Sequence, residues 1–193
     1  MKTTNDRQLS AVGRLIKWCE ASSPPFSLAV GATCGCDLAR IEKEICERVN
    51  EAALHSDEEF GCFDYEDIRY IAGEPAVRDF LIDRAEMAGP EYERWNDYAL
   101  VLRALASLGG VVLCGQGAID SARGLPNVCE VMICKCDHCE DAAISSWVDP
   151  DLCEDTSLVT HVAGHFLEWL SESERVRASK RKALGIPEQL VAV

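Results

Sequence analysis

The sequence predicts a three-layer α/β/α fold built around a mainly parallel sheet. Three short apolar runs, at residues 26–30, 111–114 and 128–134, have the composition of strands that are buried on both faces. Helical patterns separate the first run from the second, and strands that alternate with helices form parallel sheets covered on both faces. A chain of 193 residues, 48% of them hydrophobic, is long enough for one such domain. We therefore expect a single domain over residues 1–193.

The segment before the first strand predicts an N-terminal accessory helix. Between residues 8 and 21, five apolar side chains recur at helical spacing, and the Ser-Ser-Pro-Pro run at 22–25 ends the helix. The apolar positions are Leu9, Val12, Leu15, Ile16 and Cys19. We accordingly divide the domain into an accessory segment at 1–25 and a core at 26–186.

The first half of the core predicts one strand and three helices. The strand at 26–30 leads through a short glycine-containing turn at 31–37 into an amphipathic helix at 37–54. After an acidic linker, two short helices at 64–72 and 77–87 are separated by Gly-Glu-Pro. The glycine turn therefore joins a buried strand directly to a helix.

The second half of the core predicts a helix at 91–108, two strands and a C-terminal helical region at 161–184. The strand at 111–114 is followed by a Gly-Gln-Gly turn, and a loop at 121–127 precedes the strand at 128–134. Both glycine turns follow strands, and parallel sheets bind ligands beyond the carboxyl ends of their strands. We therefore expect the two turns to border a binding site.

The composition of the chain disfavours several classes of partner. Lys and Arg total 19 against 33 Asp and Glu, and the net charge of −14 repels phosphate backbones and anionic lipids. We therefore expect neither nucleic-acid nor membrane binding. No run of about 18 apolar residues occurs, and residues 1–10 lack the apolar stretch of a secretory signal. Together with eleven irregularly spaced cysteines, expected to be reduced thiols, this predicts a cytoplasmic protein.

Four segments occur in an order that matches a known family. Residues 26–45 combine a strand, a glycine loop and a helix, and residues 63–72 begin a helix with Phe-Asp-Tyr-Glu-Asp. Residues 104–118 end in Val-Val-Leu-Cys-Gly-Gln-Gly-Ala, and residues 175–186 are an Arg-containing helical end before Gly-Ile. In these segments the chain resembles the cytidylate kinase-like family of P-loop nucleoside monophosphate kinases. The resemblance implies a P-loop kinase-like fold that binds a small-molecule nucleotide.

The resemblance also implies a reaction and a set of site residues. The reaction is transfer of the γ-phosphoryl group of ATP to a nucleoside monophosphate such as CMP, with Mg²⁺ as cofactor. Backbone N–H groups and the helix N-terminus of such a loop contact the phosphates, here at Gly31, Thr33, Cys34, Gly35 and Asp37. The resemblance places the acceptor beside Asp64 and Gln116, and it makes Arg175 and Arg177 the catalytic cations.

The chain departs from the family pattern at charged positions. Gly35 stands where the loop lysine is expected, and Asp37 stands near the metal-ligating hydroxyl, where it can equally serve as a helix N-terminal acid. Tyr65 replaces an arginine beside Asp64, and Gln116 replaces the arginine of Gly-Arg-Gly. A single well-placed arginine can be worth about 10³-fold in rate. We therefore expect a catalytically degenerate protein and leave activity itself open.

Two functions from other classes stay open as alternatives. The first is a non-catalytic module whose acidic surface binds a basic protein partner, with a homodimer as a further option. The second is a zinc or redox regulator that uses the cluster Cys134, Cys136, His138 and Cys139. The spacing of that cluster matches no standard zinc module, so we expect no zinc. The sequence leaves the conformation of residues 137–160 open.

Overall fold

The structure is a computed structural model, and it describes residues 4–20, 25–32, 38–53, 59–115, 117–133, 146–148 and 156–183. Within these ranges, five strands form one sheet: β1 (Ser27–Ala32), β2 (Gly61–Cys62), β3 (Val111–Cys114), β4 (Val128–Ile133) and β5 (Ser146–Val148). Their spatial order is β2-β3-β1-β4-β5, and every neighbouring pair is parallel. The predicted parallel sheet is confirmed.

Seven helices are found in the described ranges: α1 (Thr4–Glu20), α2 (Leu38–Ala53), α3 (Tyr65–Gly73), α4 (Pro75–Arg84), α5 (Asp97–Leu108), α6 (Ala118–Ala122) and α7 (Thr156–Ala183). One hydrophobic cluster packs α2 and α7 on one face of the sheet. A second cluster packs α1, α3, α4, α5 and α6 on the opposite face. This arrangement confirms the predicted three-layer α/β/α fold. Among the described helices, none combines the length and apolarity that a bilayer crossing requires.

β1 is the central strand of the sheet, because β3 and β4 pair with its two edges. Leu28 and Val30 pack into the cluster of α2 and α7, whereas Ala29 packs into the cluster on the opposite face. All three side chains are fully buried. Burying a Leu or Val side chain contributes about 1.5–3 kcal/mol, so this short apolar run stabilises both layers of helices.

The N-terminal helix α1 packs into the main core. Trp18 is buried, its Nε1 donates a hydrogen bond to the Gly110 carbonyl at 3.1 Å, and its ring meets the Phe63 ring edge-on at 6.0 Å. Arg14 forms an ion pair with Asp67 of α3. The predicted accessory helix is therefore present and is tied to the sheet and to α3.

Several boundaries differ from the sequence predictions, and two strands are additional to them. α1 begins at Thr4 instead of residue 8, α4 ends at Arg84 instead of residue 87, and α7 begins at Thr156 instead of residue 161. The helix predicted at 91–108 begins at Asp97, because the preceding residues form turns and the Asn96 side chain caps the helix by accepting from Ala99 N at 2.9 Å. The loop predicted at 121–127 begins inside the short helix α6. The edge strands β2 and β5 are additions to the predicted sheet, because two and three residues are too few to show an alternating pattern.

Candidate functional site

The helices that follow the adjacent strands β1 and β3 lie on opposite faces of the sheet. β1 is followed by α2, which packs with α7, whereas β3 is followed by α6, which packs with α5. The Gly115 N–H donates to the Val30 carbonyl at 3.0 Å and holds the two strand ends side by side. In open α/β sheets, such a reversal leaves a ligand-binding crevice outside the carboxyl ends of the strands. We call the space beyond Ala32 and Cys114 the strand-end crevice.

Glycines near the strand-end crevice serve two different purposes. A Cβ atom on Gly31 would lie 2.9 Å from Ile119 Cδ1, so glycine at this position lets α6 pack directly on β1. Gly115 and Gly117 have φ angles of 124° and 88°, in the left-handed region that favours glycine. Gly31 therefore serves helix–strand packing, and the other two glycines shape the turn after β3.

The carboxyl group of Glu42 is buried beside the end of β3. Glu42 lies on α2 and is 4% exposed, and its Oε1 has no hydrogen-bond partner. Burial raises the pKa of Glu42 to about 9, and Cys62, Asp64 and Asp67 add to the shift, while a hydrogen bond with the Cys114 backbone opposes it. Glu42 is therefore a neutral acid at pH 7, and it can donate a hydrogen bond.

Two tyrosines share this corner with Glu42. Burial raises the pKa of Tyr98, on α5, to about 12, and interactions with Tyr65, Glu42 and Asp64 add to the shift. The rings of Tyr65 and Tyr98 lie 5.5 Å apart at an angle of 45°, and Tyr65 is 57% exposed. The ring pair thus extends from the neighbourhood of the buried acid to solvent.

Asp64 lies at the start of α3, at the rim of the same corner. Its Oδ1 accepts from Asp67 N at 2.9 Å, while Asp67 Oδ2 accepts from Asp64 N at 3.3 Å, which forms a capping box. Burial and the Asp64 charge raise the pKa of Asp67, and the paired Arg14 opposes this rise. Asp64, predicted to face an acceptor, therefore caps a helix and also contributes negative charge near Glu42.

The chain matches no protein-family model, no curated protein and no solved structure. Among the described residues near the end of β3, Glu42, Asp64, Tyr65 and Tyr98 interact electrostatically with one another. No group of three His, Cys, Asp or Glu side chains that could hold a metal ion occurs among the described residues. The observed chemistry of this corner is acidic and aromatic.

The structure describes only part of the predicted phosphate and acceptor site. Gly31 lies in β1 next to the crevice, and Asp64 lies at its rim. The other predicted residues are outside the described ranges, in the connections that begin after Ala32 and Gly115: Thr33, Cys34, Gly35, Asp37 and Gln116. The crevice therefore lies where both predicted turns start.

Arg175 and Arg177 lie on a part of α7 that has passed the opposite edge of the sheet. The Trp169 ring meets the Phe26 ring at 5.4 Å, and Phe26 precedes the amino end of β1. Six residues farther, at 1.5 Å per residue, Arg175 is about 9 Å beyond that point. The strand itself spans about 20 Å at 3.3 Å per residue. This placement does not bring either arginine to the strand-end crevice, contrary to the expected catalytic role.

The zinc and redox alternative falls mostly on residues outside the described ranges, which include Cys134, Cys136 and Cys139. Five cysteines in the described ranges are free thiols: Cys19, Cys46, Cys62, Cys114 and Cys129. On α7, His161 is exposed and His165 is half-buried, and the buried His165 Nε2 atom has no hydrogen-bond partner.

A second depression lies beside the edge strand β2. This cavity of about 210 Å³ is lined in part by Trp18, Cys46, Asn50, Phe60 and Cys62. The Asn50 side chain accepts from Phe60 N at 2.8 Å and donates to Phe60 O at 3.0 Å, and Lys17 pairs with Glu59 at 2.9 Å. These polar groups already bind each other, so they hold the edge strand in place.

Glu42 is the main site residue that the sequence interpretation missed. The sequence pattern groups it with the polar residues that separate the apolar positions of the second helix. However, Glu42 follows Leu38 by four residues and precedes Ile45 by three, so it falls on the buried stripe of α2. An acid on an apolar stripe is the signal that could have revealed it.

Proposed function

We propose that the protein binds a nucleotide in the strand-end crevice, with the phosphates of ATP beside the turns that follow β1 and β3. The reaction is phosphoryl transfer to an acceptor near Asp64, and the resemblance suggests a nucleoside monophosphate such as CMP. The observation that carries the proposal is the side-by-side ending of β1 and β3, with their following segments on opposite faces.

Phosphoryl transfer depends on cationic side chains, and the chain lacks several that the family pattern expects, so we expect the reaction to be slow. The acceptor oxygen would form a bond to the γ-phosphorus as the bond to the β-phosphate oxygen breaks, and ADP would leave. Mg²⁺ would neutralise phosphate charge, and Asp37, which stands near the position of the family's metal-ligating hydroxyl, lies outside the described ranges. Because Arg175 lies beyond the opposite edge of the sheet, it supplies no charge at the crevice. We therefore expect binding to be easier to detect than turnover.

The first test is thermal stabilisation by ATP, ADP, CMP and CDP, with and without Mg²⁺. A ligand that binds only the native state adds about 2.7 kcal/mol of stability at one hundred times its dissociation constant. We expect ATP with Mg²⁺ to raise the melting temperature. No shift at millimolar concentrations of any of these nucleotides would count against the proposal.

A matched pair of variants ties this stabilisation to the crevice. Gly115 and Gly124 both have positive φ angles, of 124° and 78°, and an added Cβ meets no atom within 4 Å at either position. Gly115→Ala and Gly124→Ala should therefore each introduce backbone strain of about 1–3 kcal/mol without a steric clash. Only Gly115→Ala, at the end of β3, is expected to weaken stabilisation by ATP. Equal loss in both variants would indicate binding elsewhere or a general effect of reduced stability.

One observation favours a second function, a non-catalytic module for a basic partner. Many of the described cationic side chains are already paired with acids, including Arg14, Lys43, Arg48, Arg69 and Arg78. Because each ion pair is neutral, the net charge of −14 is carried by Asp and Glu side chains outside these pairs. A salt-sensitive complex with an oligolysine peptide, in a protein that no nucleotide stabilises, would favour this function over the first.

A further inference from the structure

Two cysteine side chains line the cavity of about 210 Å³ beside the edge strand β2. Cys46 comes from α2 and Cys62 comes from β2, and they are the only thiols among the described residues that line this cavity. Both side chains pack with the hydrophobic cluster on the α2 face of the sheet, and both are free thiols. The cavity therefore gives access to two thiols from two different elements of the fold.

The start of β2 brings the two sulfur atoms together. Cys46 Sγ donates a weak hydrogen bond to the Phe60 carbonyl oxygen at 3.7 Å. Cys62 lies two positions after Phe60, and side chains at this spacing in an extended chain point to the same face, here the face that packs on α2. The Cys62 thiol in turn forms a hydrogen bond with the Cys46 thiol. The two sulfur atoms are therefore in contact before any bond forms between them.

The Asn50 side chain fixes the helix against the strand at this point. It binds both backbone groups of Phe60, at 2.8 and 3.0 Å, and its Nδ2 lies 3.8 Å from Cys46 Sγ. Asn50 follows Cys46 by four residues, which is about one turn of α2. The contact between the thiols therefore belongs to a hydrogen-bonded arrangement of helix and strand.

The two thiols differ in their access to solvent. Cys46 is 4% exposed, whereas Cys62 is half-buried. The exposed side chains of Lys17 and Glu59 also line the cavity, so the cavity opens to solvent on their side. A small molecule that enters the cavity can therefore react first with Cys62, while Cys46 lies behind it within reach of the same sulfur.

We propose that Cys46 and Cys62 are a dithiol site that a small disulfide, such as oxidised glutathione, converts to a protein disulfide. Cys62 loses its proton to water, its sulfur attacks one sulfur of the small disulfide, and the first small thiolate leaves and takes up a proton. Cys46 then loses its proton and attacks the Cys62 sulfur, and the second small thiol leaves in the same way. The protein pair gives up two electrons, and the small disulfide is reduced to two thiols. This site is separate from the proposed nucleotide site.

The surroundings of the pair favour the disulfide at equilibrium and slow its formation. The hydrogen bond with Cys46 raises the pKa of Cys62, and burial adds to the shift. Little thiolate is therefore present at neutral pH, and the first exchange step should be slow. Pairs whose reduced form is stabilised as a thiolate are strong oxidants, and this pair has no such stabilisation at Cys62. Once formed, its disulfide should resist reduction.

The test treats the folded full chain for several hours with an excess of oxidised glutathione, then blocks the remaining thiols and digests the protein with trypsin. Trypsin separates the two cysteines into peptides 44–48 and 49–69, each of which contains one cysteine. We expect mass spectrometry to find these two peptides joined by a disulfide in most of the protein. A stable glutathione adduct on peptide 49–69, a link from either peptide to a different cysteine, or no modification of either peptide would overturn the proposal.

Two variants test the order of the steps. Cys46→Ser keeps a hydroxyl group that can donate to the Phe60 carbonyl, but it cannot release the small thiol from Cys62. Cys62 should therefore accumulate as the glutathione adduct in this variant. Cys19→Ser removes a half-buried thiol of α1 and should give the same linked peptides as the unmodified protein. No adduct on Cys62 in the first variant, or loss of the linked peptides in the second, would refute the assigned roles.

The stability of the oxidised protein tests whether the disulfide fits the native contact. The bond would close the segment 47–61 and tie β2 to α2, and a disulfide that fits the folded structure stabilises it by restricting the unfolded chain. We expect the oxidised protein to unfold at a higher urea concentration than the reduced protein. A lower midpoint after oxidation would show that the bond distorts the native arrangement, and it would contradict a pair poised to form it.

Discussion

Replacing Glu42 by glutamine should stabilise the protein, and increasingly so as the pH rises. In the folded protein the carboxyl holds its proton up to about pH 9, whereas an unperturbed glutamate has a pKa of 4.5. Between these values unfolding releases a proton, so rising pH favours the unfolded chain. The contribution of protonated Glu42 is fully present below pH 4.5 and is lost progressively up to about pH 9. Glutamine has no proton to release.

The structure gives the size of this effect. Neutral pH lies roughly 2.5 units above the ordinary glutamate pKa, and one unit corresponds to 1.36 kcal/mol, so Glu42→Gln should gain about 3 kcal/mol at pH 7. The gain should be near zero at pH 4.5 and should increase by about 1.4 kcal/mol per pH unit. Imperfect fit of the amide beside Cys114 would lower the gain at every pH equally and would leave the slope unchanged.

Urea denaturation at pH 5, 6, 7 and 8 measures the free energy of unfolding of both proteins. The difference between them isolates Glu42, because other titrating groups are common to both. Glu44→Gln, an exposed change on the same helix, should show no such slope. A difference between Glu42→Gln and the unmodified protein that stays constant from pH 5 to pH 8 would refute the reasoning, since it would mean that folding does not shift the pKa of this acid.

Three further predictions concern packing and backbone. Asn50→Ala should cost about 1–3 kcal/mol of unfolding free energy, because it leaves both backbone groups of Phe60 without their amide partner. Gly31→Val should cost about 1–3 kcal/mol, because its Cβ would lie 2.9 Å from Ile119 Cδ1. Gly164→Ala should add about 0.5–1 kcal/mol, because an added Cβ on this helical glycine meets nothing within 4 Å. Denaturation midpoints measure all three, and an opposite sign in any of them would contradict the described packing.

The sequence predicted the fold because its strongest patterns are local. The run at β1 is apolar on every side, and the helical pattern of α2 is regular, so both elements lie within two residues of their predicted ends. β2 and β5 could not be predicted, because their pairing with β3 and β4 depends on contacts that are distant in the sequence. The start of α5 was misplaced because the cap at Asn96 was not recognised.

The candidate site was predictable in position and only partly in chemistry. Glycine turns after two strands indicated the carboxyl edge of the sheet, and the structure places the ends of those strands side by side. The pKa of Glu42 depends instead on burial and on Asp64, which is 22 positions away along the chain and acts only in the folded protein. The direction of α7 was equally hidden, since spacing alone could not show that Arg175 passes the opposite edge.

Hydrogen–deuterium exchange with and without ATP and Mg²⁺ tests most directly whether the strand-end crevice is the ligand site. Binding there should slow exchange at the end of β1, at the start of α2 and around Gly115, and should leave the β2 edge near Trp18 unchanged. Protection at the β2 edge or along the C-terminal part of α7, with none at the ends of β1 and β3, would contradict the account.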